Sequence, residues 1–127
     1  MEEYEPETEL EQNLEISYNI SILDEEYELS MKLNNSLLEF ELQQTNIIDE
    51  YYYKSKFELE AINKLLFSSY EIIKEAFDFF DSLLKEKKFK LLKSNAQDII
   101  KLNFINTTQK NESNVELKKY KLESVYL

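Results

Sequence analysis

The spacing of apolar residues along the chain is that of strands first, then helices, then strands again. Over residues 14–22, 27–33 and 38–42, apolar and polar side chains alternate. A period of two is typical of strands that bury one face, so these segments predict the first three strands. The Asn34-Asn35 pair favours a tight hairpin turn between the second and third strands, because asparagine tolerates positive φ. A fourth strand is predicted over 47–57.

The period changes to that of a helix in the middle of the chain. Residues 58–67 and 69–86 predict two helices, which form a helix-turn-helix hairpin over 58–86. Ser68 and Glu71 have capping-box spacing, which predicts that the second helix begins at Ser69. This helix carries two adjacent apolar stripes, which together make a face wide enough for packing partners on two sides. The stripes are Ile73, Phe77, Phe80 and Leu84, and Ile72, Ala76, Phe79 and Leu83.

Strand-like segments return after the second helix. Residues 89–93 and 100–104 predict two strands, the polar segment 106–114 predicts a loop, and the lysine-rich segment 115–122 predicts a charged edge strand. Because the connections are short, we expect largely antiparallel pairing. The sequence therefore predicts one α+β domain over 14–127. Its architecture is an antiparallel β-sandwich or partly open barrel of about seven strands, with the hairpin inserted between strands four and five.

The composition excludes many kinds of chemistry. The 127 residues include no Cys, His or Gly. These absences exclude disulfides, thiolate and imidazole metal sites, and glycine-rich phosphate loops. Asp78 and Asp81 share the polar face of a predicted helix, where solvated carboxylates are usual. We therefore expect no enzyme, no cofactor and no metal site.

The charge lies at one end of the chain. The net charge is −11, and the first 30 residues hold eleven of the 26 acidic residues and no lysine. We expect residues 1–13 to be a disordered acidic tail that repels nucleic acid and anionic membranes. The tail serves either as a solubilising segment or as a site for a basic partner. Its acidic residues are Glu2, Glu3, Glu5, Glu7, Glu9 and Glu11.

Two groups of apolar residues are candidates for binding a partner protein. The first group is Ile72, Phe79 and Leu83 on the wide helix face, which could dock a partner helix or a second copy of the chain. Alternatively, the first helix covers this face itself. The second group is Tyr51, Tyr52 and Tyr53, since tyrosine is enriched at binding hot spots. Alternatively, these residues form a strand with one tyrosine in the core and its neighbours half exposed.

The order of the elements resembles the head domain shared by DNA end-joining scaffold proteins and centriolar cartwheel proteins. That head is a seven-stranded antiparallel sandwich with a helix-turn-helix between its fourth and fifth strands. The sequence also resembles an uncharacterised head domain of AT-rich protists, in which Tyr-x-x-x-Phe-x-Leu leads into two helices. Tyr53, Phe57 and Leu59 stand at those positions. The resemblance implies a scaffold head associated with a coiled-coil stalk, although residues up to Leu127 contain no heptad repeat.

These observations predict a non-enzymatic protein-protein interaction or scaffold module that is a small part of a larger assembly. The partner is expected to be a protein, including a second copy of the chain, and not nucleic acid or membrane. The alternative is an acidic inhibitor or immunity-type protein that blocks a basic active or nucleic-acid-binding site. The acidic start does not fit a signal peptide and no long apolar run occurs, so we expect a cytoplasmic protein, with nuclear or cytoskeletal settings left open.

Overall fold

The computed structural model describes residues 13–22, 25–34, 36–45, 51–93, 98–106 and 111–121. Four strands precede two helices, and three strands follow them, as the periodicity predicts. The strands are β1 (Asn13–Ile22), β2 (Glu25–Asn34), β3 (Leu37–Gln44), β4 (Tyr51–Glu58), β5 (Phe89–Lys93), β6 (Ile99–Asn106) and β7 (Asn111–Lys121). The helices are α1 (Leu59–Leu66) and α2 (Ile73–Lys85).

The seven strands form one antiparallel sheet that curls into a half-barrel, in the order β1-β2-β3-β4-β7-β6-β5. This arrangement confirms the predicted α+β fold and the insertion of both helices between strands four and five. The predicted edge position of the last strand is wrong, because β7 lies between β4 and β6. Glu116 and Lys118 are exposed on its outer face, whereas Val115 and Leu117 are buried, so solvent on one face explains these charges without an edge position.

The concave side of the sheet holds the core. Alternate residues of β2 and β3 point inward and are almost completely buried: Tyr27, Leu29, Met31, Leu33, Leu38, Phe40 and Leu42. Apolar residues of β6 and β7 line the opposite wall and are buried as well. A period of two in the sequence therefore places one continuous apolar surface inside the curl.

Helix α2 fills the space between these two walls. The Phe80 ring lies 5.2 Å from that of Phe40 on β3 and 4.7 Å from that of Phe104 on β6, measured between centroids. All three side chains are fully buried, and α2 also contacts β2 and α1. The wide apolar face of α2 therefore packs on more than one side, as its two stripes predict.

The start of α2 differs from the prediction. The helix begins at Ile73, not at Ser69, and the capping role predicted for Ser68 and Glu71 is wrong. Instead, the Glu75 carboxylate accepts hydrogen bonds from the backbone N–H groups of Glu71, at 2.9 Å, and of Ile72, at 3.3 Å. Backbone N–H groups at the start of a helix have no carbonyl partner within the helix, and the Glu75 carboxylate supplies the acceptor for these two.

Replacing Glu75 with Ala should therefore lower the free energy of unfolding by about 1 kcal/mol, the usual effect of removing a helix cap. The midpoint of urea unfolding measures this change. A Glu75→Gln variant keeps an accepting oxygen and should stay closer to the wild type. Equal midpoints for the wild type and Glu75→Ala would contradict the assignment.

Two connections also differ from the sequence prediction. Asn34 pairs with Leu37 and lies in β2, so the hairpin connection begins after Asn34. Strand β7 begins at Asn111, within the segment predicted as a loop. The polar stretch is accommodated because the buried Asn103 side chain on β6 donates a 2.7 Å hydrogen bond to the Asn114 side chain. Where polar side chains pair across two strands in this way, the sequence lacks the apolar alternation by which a strand is recognised.

Candidate interaction surface

The three residues predicted to bind a partner on the wide helix face differ in how far their side chains are exposed. Leu83 has only 6% of its side chain exposed and belongs to the core. Phe79 is half-buried, with its ring centroid 6.4 Å from that of Tyr70 and 5.6 Å from that of Phe80. Only Ile72 is well exposed, at 57%. The accessible part of this face is therefore at the start of α2.

The three tyrosines of β4 alternate across the sheet. Tyr53 points inward and packs against the core, half-buried. Tyr51 is partly exposed, and the Lys119 Nζ atom lies 4.3 Å from its ring centroid. On the outer face, Tyr52 stacks on Tyr120 at 5.7 Å. The tyrosines thus lie on two faces and do not form one surface.

The remaining predicted groups are the acidic tail and the carboxylates Asp78 and Asp81. The acidic tail lies outside the described residues, except that Asn13 is the first residue of β1. Asp78 pairs with Lys74 at 2.9 Å, and Asp81 pairs with Lys85 at 3.2 Å. Within the described ranges, no group of three or more carboxylates is arranged to hold a metal ion.

The turn between the helices, residues 67–72, presents the apolar side chain of Phe67, which the sequence pattern places in the first helix. We call this segment the Phe67 turn. Phe67 ends α1 in the left-handed conformation, with φ 53° and ψ 47°, and 87% of its surface is exposed. Glycine is usual at this position, and a bulky residue there is strained. Phe67 is thus an apolar side chain held out into solvent in an unfavourable backbone conformation.

The Asn63 side chain fixes the shape of the Phe67 turn. Its Oδ1 atom accepts hydrogen bonds from the Ser68 hydroxyl at 2.8 Å and from the Tyr70 N–H at 2.9 Å. Its Nδ2 atom donates to the Tyr70 carbonyl at 3.0 Å. The Asn63 carbonyl accepts from the backbone N–H groups of Phe67 and Ser68. With so many bonds to one residue, the turn is organised before any partner binds.

A groove of about 430 Å³ lies at the other end of α2, between the sheet edges β1 and β5. We call it the edge groove. Its apolar lining comes from both edges and from the end of the helix: Tyr18, Ile20, Leu84, Phe89 and Leu91. Lys87 and Lys90 also line it, and both side chains are exposed. Neither lysine forms an ion pair with any residue that the structure describes.

Side-chain hydrogen bonds join the elements around the edge groove: one joins β1 to α2, and another joins β5 to β2. The Tyr18 hydroxyl donates to Asp81 on α2 at 2.6 Å, and burial together with this bond raises the pKa of Tyr18 to about 12. Near the start of β2, Glu25 accepts from both Lys93 and Tyr27. The bond from Lys93 is the main cause that lowers the pKa of Glu25. Burial, followed by the bond to Glu25, raises the pKa of Tyr27 to about 12.

These tyrosines predict a loss of stability at alkaline pH. The folded protein keeps both protons until about pH 12, whereas the unfolded chain releases them near pH 10. The stabilisation is therefore complete below pH 10 and decreases as the pH rises toward 12. In urea unfolding across this range, a Tyr18→Phe, Tyr27→Phe variant should lose less stability than the wild type. Parallel losses would show that the two hydroxyls do not titrate in this way.

Comparisons with known proteins agree with the fold. No protein-family model matches the sequence, and a search of curated proteins also found no match. Among solved structures, the crystal structure of the head domain of human CCDC61 matches with a TM-score of 0.63. The match covers 87% of this chain and 99% of that chain. The protein has a head-domain fold. This finding confirms the resemblance to a head domain that the order of elements predicts.

The shared fold does not allow the roles of individual residues to be carried over to this chain, because only 11% of the aligned residues are identical. The candidate surface of this chain therefore rests on its own side chains. Within the described residues, no helix is long and apolar enough to cross a membrane.

Proposed function

We propose that this head-domain fold is a non-enzymatic protein-interaction module of the scaffold type. The observation that carries the proposal is Phe67, which is 87% exposed and strained yet held in place by Asn63. An exposed phenylalanine gains nothing from folding of the isolated chain, whereas burial in a partner removes its apolar surface from water. Aromatic side chains on rigid elements are typical anchors of protein interfaces.

The arrangement of the charged groups supports an interaction role over catalysis. The carboxylates that the structure brings close to other titratable groups, such as Glu25 and Asp81, are engaged with lysine and tyrosine side chains. Such pairs hold elements of the fold together and leave little freedom to transfer protons. The candidate surface is instead apolar at its centre, with exposed Glu71 at its rim, as in many protein interfaces.

The test is affinity capture from a lysate of the cells that make the protein, using the full chain as bait. Phe67→Asn removes the anchor but suits a left-handed backbone, and Leu92→Thr removes an apolar side chain that is 43% exposed on β5. We expect the wild type and Leu92→Thr to retain the same protein, and Phe67→Asn to lose it. Identical captures by all three baits would exclude Phe67 as the anchor.

A second candidate function is supported by the acidic outer faces of β1 and β2. Glu15, Glu26 and Glu28 are exposed there, and the sequence places further acidic residues immediately before β1. We propose, as the alternative, that this end of the molecule binds a basic site on a partner. Removing residues 1–12 should then abolish capture, and raised salt should weaken it steeply. Capture that survives both changes would exclude this alternative.

A further inference from the structure

The curled sheet stays open along the edge groove, because its two outer strands do not pair with each other. Among the described residues, β1 pairs only with β2, and β5 pairs only with β6. On the other side of each outer strand, backbone N–H and carbonyl groups have no strand partner within the described part of the chain. Such an edge can accept an additional strand.

Strand β1 lacks the features that usually protect an edge strand. It pairs with β2 residue for residue from Asn13 to Ile22, without a bulge. Its ten residues include no lysine and no proline, and Glu15 is their one charged residue. Soluble proteins usually place bulges, lysines or prolines on an edge, because a regular edge pairs readily with other chains. The edge of β1 is therefore suited to strand addition.

The inward side chains of β1 are also less covered than those of its neighbour. The inward residues Leu29 and Met31 of β2 have no exposed surface. The inward residues of β1 are only partly buried: Leu14, Ile16, Tyr18 and Ile20. A strand added beside β1 would cover this apolar surface and would also satisfy the backbone groups of the edge.

The alternation of side chains in a strand determines what the added segment must contain. Its inward side chains would meet the apolar lining of the edge groove, including Tyr18 and Phe89. Its outward side chains would lie beside the polar residues Asn19 and Ser21 of β1 and beside Lys90 of β5. The segment therefore needs apolar residues at every second position and polar residues between them.

Two lysines indicate the charge of those polar residues. Lys87 and Lys90 line the edge groove, are exposed, and form no ion pair with a described residue. Lys87 also has a φ of 59°, which is unfavourable for a residue other than glycine and is a kind of strain that is concentrated at binding sites. Lysines beside an open apolar groove favour a partner that carries carboxylates.

The charge argument also distinguishes between occupants. A second copy of β1 would present uncharged outward residues to this part of the groove, namely Ser17, Asn19 and Ser21. It would therefore bring no carboxylate to Lys87 or Lys90. A segment in which acidic and apolar residues alternate matches both the lysines and the apolar lining.

We infer that β1 and the edge groove bind an extended segment of a partner protein, in which acidic residues alternate with apolar ones. The segment adds a strand beside β1, places its apolar side chains in the groove and brings its carboxylates to Lys87 and Lys90. This site lies at the end of α2 opposite to the Phe67 turn, about 20 Å away for a helix of 13 residues. It is a second binding site and does not depend on Phe67.

The test measures the binding of synthetic peptides to the full chain by fluorescence anisotropy. The probes are peptides of about eight residues, the length of a strand, in which Glu alternates with Ile, Val, Phe or Tyr. Their matched controls have the same composition, but all Glu residues are grouped at one end. Over protein concentrations from about 1 µM to about 1 mM, alternating peptides should bind at least about 10-fold more tightly than grouped ones.

Two charge-reversal variants locate the contact. Lys87→Glu, Lys90→Glu should weaken binding of the alternating peptides by at least about 10-fold, and should instead bind peptides in which Lys replaces Glu. Lys56→Glu, Lys64→Glu makes the same change in net charge at two exposed lysines outside the groove, so it should bind almost like the wild type. Phe67→Asn should also bind like the wild type.

Hydrogen exchange identifies strand addition. The alternating peptides should slow exchange of the backbone amides in residues 13–22 and should leave the Phe67 turn unchanged.

Four results would overturn the inference. Two are the absence of binding by every alternating peptide up to about 1 mM and equal binding by the two charge-reversal variants. The third is protection of residues 13–22 that grows with protein concentration in the absence of peptide, which would assign the edge to a second copy. The fourth is much tighter peptide binding after removal of residues 1–12, which would assign it to the acidic tail. Affinity capture through Phe67 tests the proposed function separately from all four.

Discussion

Replacing Phe80 with Ala is expected to lower the free energy of unfolding by about 3–5 kcal/mol, the usual range for a fully buried phenylalanine. Phe80 contacts Phe40 on β3 and Phe104 on β6, and all three side chains have almost no exposed surface. The substitution leaves a cavity between the two walls of the curled sheet. Since domains of this size are stable by only about 5–15 kcal/mol, much of the stability would be lost.

The matched control for Phe80→Ala is Phe67→Asn, which removes a phenylalanine from the same helical hairpin. The Phe67 side chain is 87% exposed, and asparagine adopts the left-handed conformation more readily. Its urea midpoint should therefore equal or slightly exceed that of the wild type. If Phe80→Ala unfolded at the same urea concentration as this control, α2 would not be the element that joins the two walls.

Asn63→Ala is expected to lower the free energy of unfolding by about 2 kcal/mol. The substitution removes three side-chain hydrogen bonds and leaves the N–H and carbonyl groups of Tyr70 without their partner. Backbone groups that lose their partners in a partly buried site cost about 1–3 kcal/mol. The variant should also weaken every interaction that depends on Phe67, because the turn would no longer be held before binding.

Lys64→Ala provides the control for Asn63→Ala one residue further along the same helix. Lys64 is well exposed and its contact to Glu60 is 4.0 Å long, so its removal should change stability by no more than about 0.5 kcal/mol. Denaturant unfolding distinguishes the two variants directly. Equal stabilities would mean that the Asn63 bonds do not organise the turn.

Much of the architecture follows from the periodicity of the sequence. Strict alternation marks β1, β2 and β3, because a strand with one buried face needs an apolar residue at every second position. The two stripes of α2 also predict packing on more than one side, and Phe80 lies between β3 and β6 as expected. These features depend on local spacing, which the sequence contains directly.

The errors arise where structure depends on partners distant in the chain. The exposed charges of β7, Glu116 and Lys118, are compatible with an edge strand or with a central strand whose outer face is solvated. Only the pairing of β7 with β4 and β6 distinguishes the two arrangements. The strand at Asn111–Asn114 escaped prediction because its polar side chains pair across to Asn103 and not with an apolar core. Local patterns carry no information about either neighbour.

The candidate site was predicted only in part for a related reason. Ile72, at the edge of the predicted face, is indeed exposed, whereas Leu83 lies in the core. Phe67 is the last residue of the helix predicted over 58–67 and directly follows Leu66, which is buried. The helix ends one residue earlier, and a single left-handed residue turns the ring outward. In a sequence without glycine, Ser68-Ser69 is the available signal that the helix has already ended.

The most direct test of the account is affinity capture with three baits: the wild type, Phe67→Asn and the chain without residues 1–12. The account predicts that the wild type and the shortened chain retain the same partner protein and that Phe67→Asn loses it, because Phe67 is the exposed anchor. The contradicting result is a Phe67→Asn bait that retains the partner as well as the wild type does, since it would show that the exposed phenylalanine is not the contact on which binding depends.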